Sequence, residues 1–225
     1  MKVINVDEPL VQASMYPERI LARSCYHNEG LPGSFSEVWL RKSVFEALVN
    51  AAESLNENLR LVILDGWRSF ELQSYLYNTL LERIKAQGFN DDEANERTSI
   101  YVAYPSKDNH NVSAHLTGGA VDVTIAAVEG EYLVMGGEFD DTDEHSRTDY
   151  YDSYFRESDG TLRKITHEEL SCRNRRTLFE AMTGAGFTNY ESEWWHYDYG
   201  DRNWAERTGF SGEVYGYIEP MFKWR

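Results

Sequence analysis

Residues 119–125 read Gly-Ala-Val-Asp-Val-Thr-Ile, and this alternation of apolar and polar side chains constrains the segment to a strand with two different faces. In a strand, residues two positions apart point to the same side of the sheet. Val121, Val123 and Ile125 therefore share a face that suits the hydrophobic core, whereas Asp122 lies on the other face. The alternation therefore places core residues on one face of the strand and a carboxylate on the other.

Helical and strand patterns follow one another along the rest of the chain. Apolar spacing and capping residues predict helices over residues 41–55, from Ser69 to Gly88, from Asp91 or Asp92 to about Tyr101, and from the capping box of Thr166 and Glu169 through Met182 to Gly184 or Gly186. Apolar runs predict strands over residues 59–64 and 190–199, and polar, turn-rich stretches predict loops over residues 105–118 and 136–160. The chain therefore mixes helices with strands.

Length and charge limit the class of protein. A chain of 225 residues fits a single domain, residues 1–225, with one substantial core. A formal net charge of -16 argues against nucleic acid or an anionic membrane as a partner, because both bind basic surfaces. The N-terminus lacks the apolar run of a signal peptide, and no later stretch approaches about 18 apolar residues, so we expect a cytoplasmic protein. Cys25 and Cys172 are expected to be free thiols, and neither is a candidate nucleophile.

Two histidines and two carboxylates form the candidate catalytic group. A catalytic zinc takes three protein ligands of the His, Asp, Glu or Cys type and keeps one position for water. His115, Asp122 and His196 meet this requirement and leave Glu193 for proton transfer. In an extended strand Glu193 and His196 would point to opposite faces, so we predict a bend or bulge at the two tryptophans between them. Each of these residues taken singly would suit a surface or core position, and only their combination indicates a metal site. The other histidines are assigned surface or structural roles: His27, His110, His145 and His167.

The motifs around these residues resemble a known family. The pattern Ser-x-His-x-x-Gly-x-Ala-x-Asp, from Ser113 to Asp122, and the pattern Glu-x-Trp-His, ending at His196, are similar to the signature of the zinc D,D-peptidases. That family includes D-alanyl-D-alanine dipeptidases, D,D-carboxypeptidases and phage endolysins. The turn Asp65-Gly-Trp-Arg68 and the doubled tryptophan before His196 resemble those of the VanX-type D-alanyl-D-alanine dipeptidases. The resemblance spans most of the chain. It implies an α+β fold, in which helices pack on a small, mostly antiparallel sheet with a zinc cleft at the sheet's open face.

The resemblance also implies a role for each matched residue. Three residues would hold one zinc ion per chain: His115, Asp122 and His196. Glu193 would act as general base and acid, and Arg68 would stabilise the oxyanion. A salt bridge with Asp65 or Glu71 is the alternative role for Arg68. Since His/Asp sites accept several divalent metals, the identity of the ion stays open.

Contacts with a substrate are implied as well. Asp140, which follows a phenylalanine in the segment Met-Gly-Gly-Glu-Phe-Asp, would meet the ammonium group of a substrate. Ser113 would bind the substrate carboxylate, with the capping of a turn as its alternative role. Tyr16 and Tyr26 could each be the tyrosine that the family places at the substrate amine.

The expected activity is that of a zinc metallopeptidase that hydrolyses the free dipeptide D-Ala-D-Ala, a small-molecule substrate. One alternative is a D,D-carboxypeptidase or cell-wall peptidase that acts on longer stem peptides. Another is a non-catalytic zinc domain, because hedgehog-type signalling domains share the fold. Glu193 and Arg68 beside a complete ligand set favour catalysis. The oligomeric state and the tolerance for the second residue of the dipeptide stay open.

Overall fold

A computed structural model of the protein describes residues 2–4, 8–155 and 164–220. Its helices are α1 (Cys25–Asn28), α2 (Lys42–Ser54), α3 (Phe70–Lys85), α4 (Asp91–Tyr101), α5 (Ala114–Thr117), α6 (His167–Gly184) and α7 (Arg202–Thr208). Its strands are β1 (Lys2–Ile4), β2 (Leu10–Gln12), β3 (Ile20–Ala22), β4 (Trp39–Arg41), β5 (Leu59–Asp65), β6 (Ala120–Ala127), β7 (Thr188–Tyr190), β8 (Glu193–Asp198) and β9 (Glu213–Tyr215). Within these ranges, none of the helices combines the length and the apolar character that crossing a bilayer requires.

Five of the strands form the main sheet, in the order β3-β5-β6-β8-β7. The β3–β5 pair is parallel, and the other three pairs are antiparallel. The other four strands form two small sheets, a parallel β1–β9 pair and an antiparallel β2–β4 pair. The predicted α+β fold with a mostly antiparallel sheet is confirmed. That the whole chain forms one domain stays a prediction.

The core lies between the main sheet and the helices α2 and α6. Val121, Val123 and Ile125 of β6 are all fully buried in it, together with residues of β5 and β8. Asp122 is also buried, but it belongs to the side of β6 that forms the wall of a cleft. As the alternation predicts, the apolar side chains of β6 face the core and Asp122 faces the cleft.

Local capping signals locate the longer helices. The Ser69 hydroxyl accepts a hydrogen bond from Leu72 N at 3.0 Å and starts α3. Thr166 and Glu169 form the predicted capping box of α6, which ends at Gly184. The predicted helix over residues 91–101 coincides with α4.

Two segments differ from the prediction. Residues 105–118, predicted as a loop, contain the single helical turn α5, which ends where Gly118 adopts the left-handed conformation with φ 73°. Residues 190–199, predicted as one strand, contain a turn at 191–192 that separates β7 from β8, and these two strands pair with each other. The predicted loop 136–160 has two short 3₁₀ turns in its described part, and residues 156–160 lie outside the described residues.

Candidate active site

Three elements bring the predicted metal ligands together. His115 lies on α5, Asp122 on β6 and His196 on β8, where Asp122 and His196 are direct partners in the antiparallel register. All three side chains are buried, and their candidate ligand atoms lie within 4.8 Å of one another. In the part of the chain that the structure describes, this is the only such group, and none of the other four histidines belongs to it.

One ring nitrogen of each histidine faces Asp122, and the other is held by a neighbouring group. His115 Nε2 lies 3.5 Å from Asp122 Oδ2, while its Nδ1 is 2.8 Å from the carbonyl oxygen of Gly66. His196 Nδ1 lies 3.0 Å from Asp122 Oδ1, while its Nε2 is 3.0 Å from Asp198 Oδ1. Metal-binding histidines in proteins are oriented in this way by a carbonyl or carboxylate on the far nitrogen. The group therefore has the donors and the ring orientations of a catalytic zinc site.

The charges in this group support one another. Burial on its own would raise the pKa of Asp122, but His115 and His196 outweigh it and hold the carboxyl well below its usual range. Burial would likewise lower the pKa of His196, but the carboxylates of Asp198 and Asp122 raise it well above the ordinary value. The pocket thus keeps Asp122 ionised, as a metal ligand has to be.

A bulge in β8 brings Glu193 to the same side as His196. Tyr190 pairs with Glu193 and Asn189 with Tyr197, so three residues of β8 have no counterpart on β7. Glu193 Oε2 consequently lies 3.9 Å from His196 Nδ1. The side chain of Asn189 spans the bulge, since its Nδ2 donates to the carbonyl oxygens of Glu193 at 3.1 Å and of His196 at 3.0 Å. The irregularity predicted at the two tryptophans is present.

Glu193 is buried next to the candidate ligands but is not one of them. Burial raises the pKa of its carboxyl to about 8, an effect that His196 and Arg68 counteract and that Asp122 and Asp140 reinforce. A carboxyl whose pKa lies near neutrality is suited to accepting and returning protons.

Arg68 follows β5 and is buried in the wall of the cleft. Its Nη2 and Nε lie 2.8 and 2.9 Å from Asp65 Oδ2, and its Nη2 lies 3.7 Å from Asp122 Oδ2. Its Nη1 donates to Gln73 Oε1 at 2.9 Å. The salt bridge with Asp65, the alternative role for Arg68, is therefore present, and Arg68 lines the cleft as well.

Ser113 and Asp140 line the same cleft. Ser113 Oγ is buried without a hydrogen-bond partner, and although the residue precedes α5 it makes no side-chain cap. Asp140 is exposed at the cleft and has a left-handed backbone, with φ 64°. The Tyr26 ring is buried 5.2 Å from the Arg68 guanidinium carbon, whereas Tyr16 donates to Glu53 of α2. Of the two candidate tyrosines, Tyr26 is the one near the cleft.

Several residues that support the site escaped the sequence-based prediction: Gly66, Gln73, Asn189, Asp198 and Arg207. Asp198 had a usable signal, because it lies two positions after His196 in a strand and so points to the same side. The contacts of the others join elements distant in sequence, or depend on the bulge in β8.

An α+β fold with two buried histidines and an aspartate around one point, and a separate buried carboxylate beside them, defines a candidate metallohydrolase. A family model described as "Peptidase_M15: D-ala-D-ala dipeptidase" matches residues 36–211, and the chain belongs to this peptidase family.

Two relatives similar in sequence agree with the family match. A protein of Synechocystis sp. called D-alanyl-D-alanine dipeptidase is 26% identical over 178 residues, covering 74% of this chain and 71% of that protein. A protein of the same name from Escherichia coli K12 is 35% identical over 157 residues, covering 68% of this chain and 64% of its own length. Among solved structures, the vancomycin resistance D,D-dipeptidase VanXYg in complex with a D-Ala-D-Ala phosphinate analog is 20% identical, with a TM-score of 0.46 and coverage of 93% of this chain and 67% of that one.

Proposed function

We propose that this protein is a zinc-dependent dipeptidase that hydrolyses D-Ala-D-Ala. The observation that carries the proposal is the position of Glu193, whose carboxylate lies 3.9 Å from His196 in the same cleft as the candidate ligands but outside the ligand group. Membership of the peptidase family and the names of the relatives support the substrate.

We assign the metal to His115, Asp122 and His196, which fit a zinc ion. The fit rests on the convergence of their donor atoms within 4.8 Å and on the far nitrogens of both rings being held by Gly66 and Asp198. When bound, zinc supplies a Lewis acid that polarises a carbonyl group and lowers the pKa of water from about 15.7 to about 7.

In this mechanism Glu193 moves the proton. Its carboxylate accepts a proton from the attacking water and returns it to the nitrogen of the leaving alanine. Burial between the sheet and the cleft supports this role, because it raises the carboxyl pKa to about 8 and makes both protonation states accessible near neutral pH.

Arg68 would stabilise the negative charge that develops on the carbonyl oxygen of the scissile bond. Its guanidinium is held by Asp65 and Gln73, so it needs no rearrangement when that charge appears. Although burial alone would lower the pKa of Arg68, the neighbouring Asp65 and Tyr26 raise it above its ordinary value, so it stays charged.

The two ends of the dipeptide would be bound by Ser113 and Asp140. The unpartnered Ser113 hydroxyl can donate to the substrate carboxylate, and the Asp140 carboxylate can pair with the substrate ammonium group. Tyr26, beside Arg68, is the proposed tyrosine at the substrate amine.

The size of the cleft favours a dipeptide over a stem peptide. The cleft encloses about 250 Å³, and two of its walls are joined where the Tyr190 hydroxyl donates to the carbonyl oxygen of Ile100 at 3.0 Å. On this basis we expect a free dipeptide, rather than the end of a stem peptide, to fill the cleft.

Replacing Glu193 tests the mechanism. We expect Glu193→Gln to bind zinc as the wild type does and to lose roughly 10²–10⁴-fold in kcat, because only proton transfer is removed. Glu191→Gln is the matched control, since Glu191 is exposed in the adjoining turn. Zinc content by metal analysis and the release of D-alanine measure the two effects. A Glu193→Gln protein with normal zinc and a near-normal rate would contradict the proposal.

Two substrates and a chelator test the substrate class. Free D-Ala-D-Ala should be cleaved, a chelator should abolish cleavage, and restored zinc should recover it. N-acetyl-D-Ala-D-Ala should resist cleavage, because acetylation removes the charge that Asp140 would bind. Efficient cleavage of the acetylated peptide would favour a carboxypeptidase, and failure to cleave any of these peptides with zinc bound would favour a binding domain.

A further inference from the structure

Asp198 lies directly behind His196. It ends β8 and is fully buried, and its Oδ1 lies 3.0 Å from His196 Nε2, on the side of the ring opposite to Asp122. A histidine that donates one N–H to a carboxylate presents a lone pair on its other nitrogen. Once the ring is neutral, as it has to be when it binds a metal, this contact favours the tautomer in which His196 Nδ1, the nitrogen that faces the metal site, is free to bind.

Asp198 is held in turn from outside the main sheet. Arg207, in the last turn of α7, donates to Asp198 Oδ2, while Oδ1 faces His196 and also accepts a long hydrogen bond from Asn203 Nδ2 at 3.5 Å. The side chain of Arg207 is 32% exposed and that of Asp198 is not exposed, so the arginine brings a solvated charge to a buried one. Asp201 starts α7 by accepting a hydrogen bond from Trp204 N at 2.9 Å, which fixes the helix that carries Arg207.

We propose that Asp198 and Arg207 are positioning residues of the metal site: Arg207 holds Asp198, and Asp198 holds the His196 ring in the orientation and tautomer that bind the ion. The proposal rests on the proposed function, because it concerns a metal bound by His196. It makes α7, which contributes no candidate ligand, part of the metal site.

A purely structural ion pair would have different consequences. If the Asp198–Arg207 pair only docked α7, its loss would lower the free energy of unfolding and leave the metal affinity of the folded protein unchanged. If the pair positions His196, metal affinity falls in protein that is still folded. Residues that hold a metal-binding histidine by its far nitrogen contribute roughly 10–100-fold to metal affinity.

Zinc affinity, measured by competition with a chelating dye, tests the proposal. We expect Asp198→Asn, which keeps the shape but not the charge, to weaken zinc binding by roughly 10–100-fold, and Asp198→Ala to weaken it further. Arg207→Met should weaken it less, and Arg207→Lys should restore part of the loss. The matched control is Arg202→Met, which breaks an exposed pair with Glu206 on the same helix and should leave zinc affinity unchanged.

The double variant tests the order of the chain of contacts. Because Arg207 acts through Asp198, adding Arg207→Met to Asp198→Asn should weaken zinc binding no further. Nitrogen-15 NMR of the zinc-loaded protein gives a second measurement, in which the His196 Nε2–H signal should shift in Asp198→Asn because its charged acceptor is lost.

Unchanged zinc affinity in folded Asp198→Asn would overturn the proposal, and so would fully additive effects of the two replacements. Should Asp198→Asn not fold, Arg207→Met decides alone, and an unchanged affinity there refutes the role of Arg207. His115→Ala separates this outcome from a failure of the proposed function. If His115→Ala still binds zinc, the proposed metal site is wrong. If His115→Ala loses zinc and Asp198→Asn binds it normally, only the positioning role is wrong.

Discussion

Replacing Arg68 would measure how much the buried charges of this site stabilise one another. It is the arginine that contacts both Asp65 and Asp122, and all three side chains are nearly inaccessible to solvent. Replacing it by methionine keeps much of the volume and removes the charge. Asp65 then loses its arginine partner and keeps His115 Nδ1 at 3.5 Å, whereas Asp122 keeps both His115 and His196.

The expected cost follows from the loss of one partner of a buried pair. Removal of such a partner costs about 3–5 kcal/mol, because the remaining charge stays desolvated. With a dependence on urea of about 2 kcal/mol/M, the unfolding midpoint of metal-free Arg68→Met should fall by roughly 1.5–2.5 M. The control is Lys42→Met, which breaks an exposed pair with Glu46 and should shift the midpoint by less than about 0.5 M.

The loss of stability in Arg68→Met should also depend on pH. Burial already raises the pKa of Asp65 above its ordinary value despite the opposing charge of Arg68, and without Arg68 it would rise further. A carboxyl whose pKa is higher in the folded than in the unfolded protein loses stability as the pH rises between those two values. The deficit of Arg68→Met should therefore be larger at pH 8 than at pH 5.

Urea unfolding followed by circular dichroism, in chelator and at both pH values, checks these expectations. A midpoint shift no larger than that of Lys42→Met would refute the reasoning, since the ion pairs would then contribute nothing to the fold. In undenatured, zinc-loaded protein the same variant should lose roughly 10²–10³-fold in kcat as an oxyanion donor is removed. A large loss of stability with an unchanged kcat would leave Arg68 a structural residue only.

Two further predictions concern Cys25 and Gly118. Burial raises the pKa of the Cys25 thiol to about 11, so at pH 8 it should react with iodoacetamide roughly 100-fold more slowly than free cysteine; a native rate equal to that in urea would contradict this. Gly118→Ala adds a Cβ 2.8 Å from Leu10 Cδ2 at φ 73° between two candidate ligands, and should cost about 1–3 kcal/mol and weaken zinc binding. Gly209→Ala, at φ 71° with nothing within 4 Å, should cost only about 1 kcal/mol and leave zinc binding unchanged; equal effects of the two replacements would show that the contact with Leu10 is unimportant.

The elements that the sequence predicts well are those with local signals. Ser69 and the Thr166–Glu169 pair mark helix starts through hydrogen bonds to residues three positions away. The alternation in β6 is likewise visible within seven residues. The short helix α5 has no such signal, because its single turn is held by contacts outside it: Arg68 N donates to the carbonyl of His115, and the His115 ring reaches Gly66.

The metal ligands and Glu193 were predictable only as a set of residue types whose motifs resemble a family. Their geometry depends on pairing between strands. A regular β8 would alternate Glu193 and His196 across the sheet, and a continuous strand over residues 190–199 would have given just that arrangement. The sequence indicates that the two side chains have to meet, and it does not indicate which neighbouring strand would permit it.

The bulge in β8 reconciles two requirements that a regular strand cannot meet together. His196 has to stay in register with Asp122 on β6, and Glu193 has to turn toward the same cleft. The three unpaired residues of β8 allow both, but they leave main-chain carbonyl groups without partners on β7. The Asn189 amide donates to the carbonyl group of His196, which is one of the unpaired residues, and to that of Glu193 at the start of the bulge, so a side chain of the adjoining strand spans the irregular stretch. The spacing of the acid and the imidazole is thus set by the hairpin as a whole, with Glu193 held beside the metal site and not on it.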